Sequence, residues 1–152
     1  MARNIGAAWH KQFKRQPVEL RTGVDGFVYH SASECQRGNQ LLLLQSQGII
    51  RNLQRQVHFP LVIEGREVLT AKGKSCVHYV ADFVYERQVN DGSYAQFAWG
   101  QIVEDHKGFI DPLASFKIRV FEAVYDYRVY IHKGGKNAPS PLLAHFNNLK
   151  VR

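Results

Sequence analysis

"VADFVYERQVNDGSYAQFAWGQIVEDHKG", residues 80–108, is the stretch that decides the fold. Its two ends are strand-like, over about 76–86 and 94–107, and the polar turn from Arg87 to Ser93 carries Asn90-Asp91-Gly92, a strong hairpin signal. Gly100 is expected to be a bulge or break in the return strand. Asp82 has Val80 and Val84 on its own face of the first strand, an awkward place for a carboxylate, because a buried acid is costly unless a cation or hydrogen bonds compensate it. In the second strand, side chains two apart share a face, so Asp105 and Lys107 point together while Glu104 and His106 point to the other side. If the strands pair, Asp82 and Asp105 meet at one edge of the sheet, where two carboxylates repel unless a metal lies between them. Oxygen ligands with open water positions select Mg²⁺ or Mn²⁺.

Outward from the hairpin, the neighbouring segments supply a layered frame. "VDGFVYHS", 24–31, reads as a short strand with a turn at Asp25-Gly26. "SASECQRGNQLLLLQSQG", 31–48, reads as a helix with Ser31 as N-cap, Glu34 three residues on as in a capping box, and Gly48 as its stop. A further strand is expected over about 55–63. Downstream, Asp111 before Pro112 starts a second helix in which Leu113, Phe116, Val120, Phe121 and Val124 recur at helical spacing. "RVYIH", 128–132, is a last strand, and Phe83, Tyr85, Phe116 and Phe121 are expected in the core. The order is helix, three strands, helix, strand: an α/β fold with a central mixed sheet of about four strands and helices on its faces.

A chain of 152 residues with 45% hydrophobic content suits one domain with short appendages. The longest apolar run, Leu41–Leu44, is far too short to span a membrane. "MARNIGAAWHKQFKRQ" lacks a signal-type apolar core, and Cys35 and Cys76 read as reduced thiols, so the expectation is a cytosolic protein. Charge is uneven along the chain. Residues 1–21 hold five Lys/Arg against Glu19, and residues 127–152 hold five with no acid; together these ends carry +9, and the centre carries −2. Basic arms of this kind are the footprint of a polyanion such as nucleic acid, or else solvated tails kept for solubility. The expected division is a basic N-terminal arm, 1–23, a domain, 24–132, and a linker with a short C-terminal helix, 133–152, capped by Ser140 and Pro141.

A helical Glu34, then Asp82 in a strand, then Asp105-His106-Lys107 in the next strand resembles the PD-(D/E)XK nuclease superfamily. More narrowly, "SASE" with its leucine-rich helix, "VADFVY", "VEDHKG" and "FKIRVFE" look like small bacteriophage proteins of that superfamily and are similar to Holliday-junction resolvases, over about residues 24–132. Ala81 stands where the family motif has proline. The resemblance implies a restriction-endonuclease-like core in the cytoplasm of a bacterial host and Mg²⁺-dependent hydrolysis of DNA phosphodiester bonds, with Mn²⁺ as a substitute. It implies metal ligation by Asp82, Asp105, the His106 carbonyl and Glu34, and a role for Lys107 in positioning or deprotonating the attacking water. The substrate would be duplex or branched DNA, cut by a homodimer if it is a four-way junction. Arg55, Lys72, Lys74, Lys117 and Arg119 are candidates for gripping phosphates without reading bases.

Plainer readings stand beside these. Glu34 could only cap its helix, Asp105 and Lys107 could be a surface ion pair, and Lys117 and Arg119 could be the solvated side of a helix. Whether Glu104 or Asp105 binds the metal is open, although the alternation with Lys107 favours Asp105. His78 and His106 have no second His or Cys at ligand spacing. The alternative functions are a non-catalytic DNA-binding module that keeps the fold, or a basic accessory protein acting through its arms.

Overall fold

The computed structural model describes residues 16–90, 97–107 and 111–132. Helix α1 spans Ala32–Ser46, and Ser31 caps it by accepting a hydrogen bond from the Glu34 amide at 3.1 Å. The chain leaves α1 through Gly48 at φ +70°, a conformation open to glycine at little cost. Strands β1 (Ile50–Pro60), β4 (His78–Asn90), β5 (Phe97–His106) and β6 (Val129–His132) form a mixed sheet in the order β1-β4-β5-β6. The first two pairings are antiparallel and the last is parallel. Between β1 and β4 lies a small hairpin of β2 (Val62–Ile63) and β3 (Arg66–Glu67). Helix α2, Pro112–Tyr125, provides the crossover into β6, and Asp111 caps it by accepting from the Ala114 amide at 2.7 Å. The fold is therefore α/β, a mixed four-stranded sheet with two helices.

Two apolar clusters hold the layers. On one face, Cys35 and Leu41 of α1 pack with Tyr29, Ile50, Phe83, Tyr85 and Ile102; on the other, Ile118 and Phe121 of α2 pack with Leu61, Tyr79, Ala81, Val84 and Val103. Ala81 and Phe83 thus face opposite helices although they are two apart. The same exchange occurs in β1, where Leu53 packs with the α1 cluster and Val57 and Phe59 with the α2 cluster. Its cause is local: Gln56 sits at φ +51°, opposite Asp82 between the pairs Arg55·Phe83 and Val57·Ala81. A left-handed residue rotates the chain about its axis, at a cost of about 1–2 kcal/mol outside glycine. Asp82 therefore does not share a face with Val84; it sits at the step where both strands change faces.

Other expectations need correction. Residues 24–31 form a turn with a single antiparallel bridge between Thr22 and Val28, because Gly26 at φ +81° reverses the chain too soon for a strand. Gly100 pairs with Arg87 in unbroken register. The irregularity is instead in β1, between Arg51 and Gln54, where Asn52 takes φ +55°. β4 continues to Asn90, paired with Phe97, and the rest of the Asn90-Asp91-Gly92 turn lies outside the described residues. Phe116 is 66% exposed and Leu113 64%, because the buried side of α2 is the Ile118 and Phe121 line. Gln16–Gly23, the described part of the segment read as an arm, packs on the domain: Arg21 is buried and donates to the Tyr29 carbonyl. Residues 1–15 and 133–152, including Ser140 and Pro141, lie outside the described residues. No helix among the described residues is long and apolar enough to cross a membrane.

Candidate active site

The face exchange at Asp82 brings its carboxylate between α1 and the end of β5. The backbone N–H of His106 donates to Asp82 Oδ2 at 2.8 Å, which fixes one oxygen. The other, Oδ1, accepts from Gln56 Nε2 at 3.2 Å, and the same amide donates to Glu34 Oε1 at 3.1 Å. Gln56 thus bridges the helix carboxylate to the strand carboxylate. The Ser31 cap helps place Glu34, whose side chain turns inward to this bridge.

Lys107 closes the other side. Its ammonium lies 2.9 Å from Asp105 Oδ1 and 3.8 Å from Asp82 Oδ2. The Asp105 contact is an ion pair and not a directed hydrogen bond, since Oδ1 lacks a partner of hydrogen-bonding geometry. Asp105, Glu34 and Asp82 are all buried, at 2%, 4% and 7% exposure. Three carboxyl groups thus converge around one ammonium group, a set short of positive charge. Burial, reinforced by the Asp82 charge, pushes the Glu34 carboxyl up to about 7. Asp105 is pushed up in the same way, first by burial and then by Asp82, against the pull of Lys107. Burial works against the charge of Lys107, but Asp82, Asp105 and Glu34 outweigh it and raise its pKa. The Tyr79 hydroxyl is buried in the same region, raised by burial first and then by the Asp105 and Asp82 charges, and has no hydrogen-bond partner of good geometry.

Glu104 is engaged elsewhere. Arg37 of α1 grips it with two bonds, Nε to Oε1 at 2.6 Å and Nη2 to Oε2 at 2.8 Å, and the Tyr85 hydroxyl donates to Oε2 at 2.9 Å. Asp105 thus faces the cluster, and Glu104 is the sheet's tie to α1. The expected alternation holds, with Asp105 and Lys107 on one side and Glu104 and His106 on the other. His106 reaches the cluster through its amide, while its ring stacks on His132 with a 3.0 Å contact between the Nδ1 atoms.

The proposed phosphate contacts are scattered. Arg55 is ion-paired with Asp25 and lies over the Phe27 and Tyr29 rings, which makes it a strut between β1 and the preceding turn. Lys72 and Lys74 are exposed in the connection before β4. Lys117 is half-buried on α2, and exposed Arg119 is paired with Glu122 at 2.9 Å.

Three residues at or beside the site have no signal in the chain taken alone: Gln56, Arg37 and Tyr79. His30 precedes the cap of α1, and its Nδ1 lies 3.8 Å from Glu34 Oε2. A divalent cation fits the donor set: three buried carboxyl groups, an Asp105 oxygen without a directed hydrogen bond, and a deficit of positive charge. No protein-family model, curated protein or solved structure matches the chain.

Proposed function

We propose that the chain is a Mg²⁺-dependent DNA endonuclease of the PD-(D/E)XK type, with branched DNA such as a Holliday junction as its preferred substrate. The observation that carries this reading is the placement of Lys107 against Asp105 and Asp82, two buried carboxyl groups from neighbouring strands, with Glu34 tied to Asp82 through Gln56. Asp82, Asp105 and Glu34 would hold the cation. When bound, it supplies Lewis-acid polarisation of the scissile phosphate and a more acidic water.

The chain's own groups do the rest. The His106 N–H and the Gln56 amide hold Asp82 in one orientation, so that little reorganisation is needed as charge develops. Lys107, kept charged by three carboxyl groups, offsets negative charge on the phosphate oxygens and orients the water; a lysine so held is a poor base. The basic segments outside the domain core add sequence-independent attraction to the backbone. Symmetric cutting of a four-way junction requires two such sites, and hence a homodimer. A bacteriophage setting in a bacterial cytoplasm is consistent with this activity.

The test is nicking of four-way, flapped and linear duplex DNA with Mg²⁺, comparing wild type with Asp82→Ala and Lys107→Ala. The expected result is Mg²⁺-dependent cutting that favours branched DNA and is lost in both variants. Cutting unaffected by either change refutes the site. Tight DNA binding without cutting by wild type favours the non-catalytic module instead.

A further inference from the structure

A cavity of about 590 Å³ opens beside the last turn of α1, where β1 is irregular between Arg51 and Gln54. Ile50 and Leu53 contribute apolar lining, and the Arg51 guanidinium lies over the Trp99 ring, 4.3 Å from its centroid. Glu86 holds this end of β1: its carboxylate accepts from Arg51 Nε at 2.5 Å and from Asn52 Nδ2 at 3.0 Å. Gln45, also in the lining, accepts from the Leu53 amide through Oε1 at 2.8 Å. One half of each carboxamide is thereby fixed. Among the described residues the other halves, Gln45 Nε2 and Asn52 Oδ1, have no partner.

An aromatic plane beside one oriented donor and one oriented acceptor is the complement of a nucleobase, which has a flat face to stack and a Watson–Crick edge where donor and acceptor adjoin. Within a duplex both are hidden, so only a base out of the stack can offer them. The volume accommodates a base with its sugar. Because Glu86 balances the Arg51 charge, the cavity suits a neutral ring better than a phosphate. The place also fits the carboxylate cluster. Asn52 is four residues from Gln56 along β1, at most about 14 Å, so a few nucleotides span the distance.

We propose that this cavity binds an unpaired nucleobase of the DNA strand, stacked on Trp99 and held at its edge by Gln45 and Asn52, and that this contact sets the preference for branched over continuous duplex DNA. The inference rests on the nucleic-acid part of the reading above and deepens it by naming the feature of the substrate that is recognised.

The test is anisotropy of labelled single-stranded oligonucleotides titrated with the full chain, with Ca²⁺ in place of Mg²⁺. A base-bearing strand is compared with one of equal length and charge that is abasic at its centre, and Trp99 emission is followed in a Trp9→Phe background. The base-bearing strand is expected to bind on the order of tenfold more tightly and to quench Trp99. Trp99→Ala should bring the ratio of the two affinities to within about twofold, and Gln45→Glu should lower it about threefold. Gln45→Glu keeps the acceptor for the Leu53 amide and replaces only the donor, so it decides alone if Trp99→Ala does not fold. Equal affinity for the two strands, a ratio unchanged in either folded variant, or failure to bind either strand overturns the inference. Mg²⁺-dependent cutting of branched DNA in any of those cases leaves the nuclease reading standing. A Trp99-dependent base preference in a chain that cuts no DNA has the reverse meaning.

Discussion

Replacing Glu104 by glutamine removes one charge from the interior and leaves Arg37 without its partner. The two side chains are 0% and 2% exposed, joined by two short bonds, and Tyr85 adds a third to Glu104. Breaking such a pair from one side costs about 3–5 kcal/mol, because a buried guanidinium is left uncompensated. That is a large fraction of the ~5–15 kcal/mol that holds a typical domain together. With a urea slope of about 2 kcal/mol per molar, the midpoint should fall by about 2 M. Arg37→Met should cost a similar amount, whereas the double variant Arg37→Met/Glu104→Leu should recover most of the loss, since an apolar pair of similar volume avoids the desolvation of both charges. Urea titration of the wild type, Arg37→Met, Glu104→Leu and the double variant, followed by circular dichroism, completes the cycle, with Glu104→Gln measured beside them. A single change costing less than about 1 kcal/mol, or a double variant as unstable as the summed singles, would refute the assignment of Glu104 to structure and reopen its candidacy as a metal ligand.

Acid should stabilise the metal-free protein. Glu34, raised from its ordinary value to about 7, keeps its proton longer when folded than unfolded, so stability falls as pH climbs between those values. The loss is on the order of 3 kcal/mol for this group alone; melting in EDTA at pH 5, 6.5 and 8 checks it, and a melting temperature that rises with pH contradicts it. Gly38→Ala should destabilise by about 1–3 kcal/mol, because a Cβ there would lie 2.1 Å from the Tyr29 hydroxyl oxygen; a neutral urea midpoint would show that Tyr29 moves freely. The two sides of α2 should behave oppositely. Phe121→Ala should cost about 3–5 kcal/mol and Phe116→Glu within about 0.5 kcal/mol, as measured by the same titration, and comparable losses would contradict the assigned helix face.

Where the chain announces its structure, it does so through local chemistry. Ser31 and Asp111 mark the two helix starts because a capping oxygen acts within three residues, and Pro112 adds a fixed φ at the same place. The alternation of Asp105 with Lys107 survives because the end of β5 stays extended beside β6, where Asp105 and His106 pair with Ile131 and His132 and the Lys107 amide donates to the His132 carbonyl. The left-handed residues Asn52 and Gln56 were not legible, since neither is glycine and their conformation is imposed by packing on both sides of the sheet. That one step put Val84 and Asp82 on different sides against the simple period of two. Phe116 misled because spacing locates an apolar stripe but not which part of it meets the sheet. Gln56 and Tyr79 join the site, and Arg37 ties Glu104 to α1, only through contacts between distant segments, so no window of sequence contains them together with their partners.

The left-handed turns in β1 also bear on how the molecule behaves in company. Among the described residues, β1 is a border strand of the sheet, eleven residues long, with a rim that could recruit a neighbour's backbone. Asn52 and Gln56 twist that rim twice, and Pro60 ends it without an amide proton, so a foreign strand meets only three residues between interruptions. The distortion that aims Asp82 therefore also blunts the border against fibre-like stacking. Straightening it with ordinary extended residues should give a chain that sticks to its own copies.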